Sequence, residues 1–455
     1  MTTSTHSDLV REVRRLAFPA IVHSLLQTLV FVVDRVMLGQ HSGTSLAAMQ
    51  LGGSIEWSIW SVFASFEVGT IALVGCHVGA GDRRSARRAA WISIALAMTI
   101  GSLLAIMTPI VLSALPWLAQ NVSAQSMSEA RAYLSVTMAA SPVVFVAMTA
   151  IATLQAGGDT KTPLAIGVVA NIVHIASNRV LILGLGAVPA MGARGAAIST
   201  AMAFGLQGFL ATIALSSRSR PVSLRRHQKQ FEGDVRGRFD EARRLTRIAF
   251  PALVERVVYH AGNVGFVLMI ARLGDAAMAV NQSLISVESI CFLSGDGFGI
   301  AAAALVAQKL GAAKADDARK VAWIATRDAA LTLTVFGALA FVFRDQVLPI
   351  FSKSHDVLAT GRGAMPVLAF AQPFMATGIV LAQSVRGAGH TRAALGVSIV
   401  GAVFVRLSMT WLFAIKLGFG LAGVWVGSTL DWVVRSALLG ALASPILGRR
   451  TTSSM

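Results

Sequence analysis

Cysteine, tyrosine and charge are what this chain has least of. Its 455 residues include two cysteines and two tyrosines, and only 13% are Asp, Glu, Lys or Arg. Cys76 and Cys291 both lie in apolar stretches, which excludes a disulfide framework and a cysteine metal site. No CxxC, HExxH or P-loop spacing occurs, so nothing points to ATP hydrolysis or to a metalloenzyme. Any work must draw on an ion gradient or run downhill. A soluble protein carries roughly 25% charged residues. The shortfall argues for a polytopic membrane protein rather than a string of soluble domains. No cleavable leader pattern is visible, because the first 15 residues are polar and the first apolar run continues as a span.

Against those absences stands a 55% share of hydrophobic residues and a mean hydropathy of +0.67. A helix crossing a hydrocarbon core of ~30 Å needs about 20 apolar residues. It also satisfies its own backbone in lipid, which an exposed strand cannot do. The pattern predicts an all-α fold of about twelve spans: 16–40, 47–75, 89–115, 131–156, 163–187, 192–215, 248–272, 278–308, 321–351, 363–386, 393–417 and 420–443.

The net charge of +17 invites a nucleic-acid reading, but its location argues otherwise. With the N-terminus placed in the cytoplasm, 26 of the 39 Lys and Arg fall on the inner side and seven on the outer. That asymmetry is the positive-inside pattern. It predicts a multi-pass protein of the inner or plasma membrane with both termini cytoplasmic and no nucleic-acid partner. The basic linker 216–247 is polar and amphipathic at its end, suited to lipid headgroups.

The chain also says nearly the same thing twice. Phe18-Pro19 recurs as Phe250-Pro251, Glu56 as Glu288, Gly79-Ala80 as Gly311-Ala312 and Trp91 as Trp323, all 232 positions apart. Pro142 and Pro373 are 231 apart, and Gly195 and Gly423 are 228 apart. Because each repeat begins and ends with inside loops, each holds an even number of spans, and the halves are related by an axis along the membrane normal. The predicted organisation is a tail (1–15), an N-lobe (16–215), the linker (216–247), a C-lobe (248–443) and a second tail (444–455).

Several runs together resemble the multidrug and toxic compound extrusion (MATE) family of cation-coupled antiporters. They include FPAIVHSLLQTLVFVVDRVMLG (18–39), VGAGD (78–82), LQAGGDTKTP (154–163), NIVHIASNRVLILG (171–184) and GARGAAIST (192–200). In the second half FPALVERV (250–257), GFGIAAAALVAQKLGA (297–312), SVRGAGHTR (384–392), VRLSMTWLF (405–413) and LAGVWVG (421–427) match as well. The resemblance spans about 16–443. It implies two six-helix bundles in a V around a central cavity, efflux of lipophilic organic cations, and H⁺ or Na⁺ as coupling ion with no cofactor.

An ionisable group inside a span costs about 2.5–3.5 kcal/mol on insertion scales, so each is a functional candidate. His23 and Gln27 precede Asp34 by 11 and 7 residues, so the three fall within about 20° of one helix face. The resemblance implies that Asp34 binds the proton. The alternative is a structural bond, through Arg35 or Arg179. Asn171, His174 and Asn178 form a second polar stripe. Some family members carry an aspartate where Asn178 stands, so its neutrality throws coupling onto Asp34 alone or onto the C-lobe. There the resemblance offers Glu255 and Glu288 as cation-coupling acids, with Tyr259 on the face of Glu255 and Asn281 on that of Glu288. The recurrence of Glu56 as Glu288 equally suits two braces. Arg406 is expected to balance Glu255 or Glu288.

The reading is secondary active antiport by alternating access, in a chain that needs no partner subunit. A lipid-linked oligosaccharide flippase of the same superfamily is the nearest rival, and would want an arginine-lined cavity. A membrane enzyme would need a nucleophile or metal constellation, and no such spacing is visible.

Overall fold

In the computed structural model, residues 5–118, 123–217, 220–225, 235–351 and 355–448 are described. Among them every long element is a helix, and the sole strand-like feature is a bridge between Leu185 and Val188. The chain divides into two compact units, Leu25–Thr246 and Met1–Ser24 with Arg247–Met455, called here the N-terminal and C-terminal units. The N-terminal unit takes the later part of α1 (His6–His41). It continues with α2 (Gly43–Gly79), α3 (Arg83–Leu118), α4 (Ala124–Ala139), α5 (Ser141–Ala156), α6 (Lys161–Leu181) and α7 (Gly192–Leu215). Most of α8 (Val235–Ala271) belongs to the C-terminal unit, followed by α9 (Asp275–Gly311), α10 (Ala315–Val342), α11 (Arg344–Phe351) and α12 (His355–Gly387). After these come α13 (Thr391–Ser398), α14 (Arg406–Thr410) and α15 (Gly420–Leu447).

Among the described residues ten helices are long and apolar enough to cross a membrane, or eleven if α4 and α5 form one broken span. The first expected span lies in α1, 36 residues long but not among those ten. Three expected boundaries change for identifiable reasons. The span 131–156 is not continuous: α4 and α5 meet at a 54° bend. Pro142 sits in the first turn of α5, where its missing N–H is tolerated but continuation from α4 is not. The span 163–187 stops at Leu181, because Gly184 and Gly186 turn the chain with φ of +79° and +61°. The span 321–351 breaks at Phe343 into α10 and α11.

Each unit closes on its own apolar core. In the N-terminal unit Leu38, Met49, Leu115, Tyr133 and Ile182 meet, and Phe63 stacks on Phe145 with centroids 3.8 Å apart. In the C-terminal unit the first helical turns of α1 supply Leu9, Val13, Leu16 and Ala17 to a core with α9, α10, α12 and α15. Two ion pairs fix that segment: Arg14 Nε lies 2.7 Å from Asp328 Oδ2, and Lys309 Nζ lies 2.7 Å from Glu12 Oε2. Those contacts explain why residues 1–24 group with the second half of the chain.

Of the linker, residues 218–219 and 226–234 lie outside the described residues. What is described is tied down. Leu224 accepts a hydrogen bond from Trp91 Nε1 at 3.2 Å, Val222 is buried, and Arg220 pairs with Asp159 in the α5–α6 turn. The repeat's other tryptophan, Trp323, donates to Ser444 Oγ at 3.3 Å.

Glycine lets the helices approach. A methyl at Gly195 would strike the Leu181 carbonyl, and one at its twin Gly423 would come within 2.6 Å of the Ala414 nitrogen. Gly195→Ala and Gly423→Ala should each cost about 1–3 kcal/mol through overpacking. Gly396→Ala, with open space around it, should be neutral or slightly stabilising, as read by thermal unfolding in detergent. Burial opposes ionisation of Asp159. The Thr162 N–H and hydroxyl and the Arg220 guanidinium outweigh it and hold the carboxyl below its usual 3.8. A depressed acid stabilises above its unfolded value, so the advantage of wild type over Asp159→Asn should be full at pH 7. It should decline only as the pH falls below 3.8, visible in a pH series of unfolding temperatures.

Candidate functional site

Four helices of the N-terminal unit bring a polar cluster into its apolar interior. Asp34 comes from α1, Glu56 from α2, Tyr133 from α4, and His174 and Asn178 from successive turns of α6. All five are buried, Asp34 to 1% exposure. Asn178 Nδ2 donates to Asp34 Oδ1 at 2.6 Å, and His174 Nε2 lies 3.2 Å from the same oxygen. Thr200 of α7 sets its hydroxyl 3.4 Å from His174 Nε2. Tyr133 donates its hydroxyl hydrogen to Glu56 Oε2, and the charge of Asp34 reaches Glu56. His174 Nδ1, Asn178 Oδ1 and Glu56 Oε1 have no hydrogen-bond partner among the described residues. Buried polar atoms are nearly always satisfied. Three such exceptions gather in this one cluster.

The C-terminal unit handles its acids differently. Glu255 of α8 is gripped by Arg386 of α12, with Nε to Oε2 at 3.1 Å and Nη2 to Oε1 at 2.5 Å. Ser398 adds a bond to Oε1 at 2.5 Å. Asp431 of α15 is fully buried between two guanidinium groups: Arg406 Nε at 2.9 Å and Arg435 Nη2 at 2.8 Å from Oδ2, with Arg435 Nε 2.5 Å from Oδ1. Arg406 also faces the rings of Phe266 at 5.5 Å and of Tyr259 and Trp432 at 6.0 Å, a cation–π setting. π-Helical segments, Ile399–Val405 and Trp411–Lys416, flank the turn that carries Arg406. The tight seam is made by glycine, since a methyl at Gly401 would strike the Asp431 carboxylate. Asp296 accepts from Gln383 Nε2 at 3.1 Å. Glu288 keeps some exposure and has no hydrogen bond or ion pair among the described residues, while the charges of Arg406 and Asp431 both reach it.

The structure thus brings Asp34, His174 and Asn178 together, and neither Arg35 nor Arg179 pairs with Asp34. Asn171 instead bonds back to the Gly167 carbonyl at 2.8 Å on its own helix. Gln27 is exposed, and His23 and Asn281 are buried with His23 Nε2 and Asn281 Oδ1 unpartnered among the described residues. Arg406, expected to balance Glu255 or Glu288, takes Asp431 as its ion partner while its charge also reaches Glu288, and Glu255 is paired instead with Arg386. Six contributors were not singled out from sequence, among them the arginines Arg386 and Arg435. Asp431 was the signal missed, an acid in an apolar helix with arginine four residues on, the spacing of an intrahelical pair. Tyr133 could have been flagged because the chain has only two tyrosines. Thr200 and Ser398, small hydroxyls in helices, carry no such mark. Among the described residues no group of three or more His, Cys, Asp or Glu gathers as metal ligands do.

A model of the MatE family matches residues 19–180 and 251–412, beginning at the twin prolines of the two repeats. A probable multidrug resistance protein NorM of Thermotoga maritima is 25% identical over 437 residues, covering 95% of this chain and 91% of that protein. Multidrug resistance protein NorM of Vibrio vulnificus is also 25% identical, with 94% and 93% covered. An outward-facing multidrug resistance MATE transporter of the MOP superfamily superposes with a TM-score of 0.87 at 19% identity, over 98% of this chain and 99% of that one. A MOP-superfamily transporter from Pyrococcus furiosus, whose reversed pocket polarity suggests a different function, gives 0.88 at 18% identity over 100% of both chains.

A buried ion pair is costly to break from one side, because the survivor is left charged without a partner. Arg386→Ala should therefore destabilise the protein by about 3–5 kcal/mol. Adding Glu255→Gln to that variant should recover most of the loss in thermal unfolding. Recovery marks the pair as a brace; a double variant no more stable than Arg386→Ala would contradict it.

Proposed function

The chain belongs to the MatE family, the MATE transporters, and on that premise we propose that it exports organic cations in exchange for protons loaded at Asp34. It is a multi-pass membrane transporter rather than an enzyme. The observation that carries the proposal is the setting of Asp34: buried, without an ion pair to lysine or arginine among the described residues, and approached by nitrogens from Asn178 and His174. Sodium prefers a cage of several oxygens, as hard cations do. Nitrogen groups pointed at one carboxylate oxygen suit a proton that comes and goes.

In this mechanism ionised Asp34 accepts the N–H bonds of Asn178 and His174, and its charge favours a cationic substrate. Protonation from the outer side removes that charge, loosens both bonds and lowers affinity for the cation, which leaves. By linkage, the cation must weaken proton binding by the same factor. The multidrug resistance names of the relatives support a broad class of lipophilic substrates. The excess of inner-side lysine and arginine supports an inner or plasma membrane location with cytoplasmic termini. Glu255 is braced by Arg386, which argues against it as coupling acid; Glu288 stands open as a subsidiary cation contact. A flippase reading is disfavoured because Arg386, Arg406 and Arg435 are already bound by acids.

The test is efflux of a fluorescent lipophilic cation from liposomes under an imposed pH gradient, then under a Na⁺ gradient. Asp34→Asn should lose at least ~10-fold of the proton-driven rate, a deficit of about 1.4 kcal/mol in the coupled step. Full proton-driven efflux by Asp34→Asn would overturn the proposal, and Na⁺-driven efflux lost in Glu288→Gln would move coupling to the C-terminal unit.

A further inference from the structure

The duplication places a carboxyl at the same point of each half, Glu56 in α2 and Glu288 in α9. Each has a second acid within electrostatic reach: Asp34 for Glu56, and Asp431 for Glu288. The surroundings then diverge. In the C-terminal unit Arg406 and Arg435 both hold Asp431, so two acids stand with two guanidinium groups and the cluster is balanced. In the N-terminal unit, among the described residues, neither Asp34 nor Glu56 pairs with a lysine or arginine.

The groups around Glu56 can be taken helix by helix. From α1 come Asp34 and Arg35, the latter reaching Tyr133 by charge alone. Helix α4 brings Tyr133, while its Glu129 accepts from the Ser45 hydroxyl and its exposed Arg131 donates to the Leu112 carbonyl. On α6, His174 turns its Nε2 to Asp34. Helix α5 has no titratable side chain, those of α3 are confined to Arg83–Arg88 in its first turns, and α7 has Arg194 near its start. An ionised Glu56 would therefore stand 2% exposed with one hydroxyl donor and no cation, beside a second acid. Burying a charge in that condition is among the most expensive arrangements available. One of its oxygens, Oε1, has no partner among the described residues, and neither do the buried Asn178 Oδ1 and His174 Nδ1 of the same cluster.

We propose that Glu56 is a second proton-binding site of the N-terminal unit, loaded alongside Asp34. The proton sits on Oε1, the oxygen left without a partner, while Oε2 keeps the bond from the Tyr133 hydroxyl. Loading takes one proton from water onto the carboxylate, and unloading returns it; no bond other than O–H is made or broken. Tyr133 is a positioning residue, holding the carboxyl within reach of Asp34 and retaining its bond when Glu56 ionises. The neutral residue at Asn178 thus does not leave this unit with one acid. The arginines of the C-terminal unit do for Asp431 and Glu288 what protons do for Asp34 and Glu56.

The inference rests on the reading of Asp34 as the coupling acid, and one experiment separates the two. Protons released when a fluorescent lipophilic cation binds are counted in weakly buffered detergent solution with a pH indicator. Wild type is compared with Asp34→Asn, Glu56→Gln, Glu56→Asp and Tyr133→Phe, each checked by thermal unfolding. The count should fall by about one proton in Glu56→Gln and return in Glu56→Asp. Tyr133→Phe should keep the count but shift the pH at which the second proton leaves upward, since the ionised form loses its donor. A wild-type count in Glu56→Gln overturns the second site. If Glu56→Gln does not fold, an unchanged pH dependence in Tyr133→Phe overturns it instead. A wild-type count in Asp34→Asn overturns the reading beneath it, whatever Glu56 does.

Discussion

An unmatched charge in a hydrocarbon interior is the constraint on which the rest of this molecule depends. With 22 acids and 39 bases in a chain 55% hydrophobic, each ionised group within a helix bundle needs a counter-ion, a set of hydrogen-bond donors or a proton. The C-terminal unit uses counter-ions. Glu255 takes Arg386, Asp431 takes Arg406 and Arg435, and Asp328 takes Arg14 and Arg327. Arg386–Glu255, Arg406–Asp431 and Arg14–Asp328 join different helices, while Arg435–Asp431 and Arg327–Asp328 each lie within one helix. The N-terminal unit supplies Asp34 and Glu56 with an amide, an imidazole and a phenol. Those donors can hold either protonation state, which is what the proposed proton exchange at Asp34 requires.

That asymmetry is built on a common scaffold. The twin glycines Gly195 and Gly423 let helices meet backbone to backbone in both halves, and Gly401 brings α15 close enough for Asp431 to meet its arginines. The bend between α4 and α5 at Pro142 has no counterpart at its twin Pro373, which lies inside the continuous helix α12. Packing positions thus recur in both halves, while the partners of the buried acids differ between them. The segment His6–Ser24 adds a further tie, its apolar face completing the core of the C-terminal unit.

Much of the fold was legible from hydropathy and from the repeat, because both depend on many residues and tolerate local noise. The helix ends at Leu181 and Phe343 were not, since a few glycines or a single broken turn decide them. Of the candidate site, Asp34, His174 and Asn178 were readable because polar residues at helical spacing in apolar helices stand out. The partner of an acid was not readable: nothing pointed Arg386 at Glu255, and Asp431 went unremarked although it organises Arg406. Pairing is a property of which helices touch, and spacing along one helix carries no information about the helix beside it. Glu56 was visible as a twin but ambiguous as a brace; its full burial, its bond from Tyr133 and, among the described residues, the lack of an arginine beside it distinguish it from Glu288.

The most direct measurement is infrared difference spectroscopy of the purified protein across a pH step, following the C=O stretch of protonated carboxyls. The account predicts that the band lost on raising the pH comes from the N-terminal unit, shrinking in Asp34→Asn and unchanged in Glu255→Gln. A band that survives in Asp34→Asn and disappears in Glu255→Gln would show that the exchangeable proton sits among the arginine-held acids, and would contradict it.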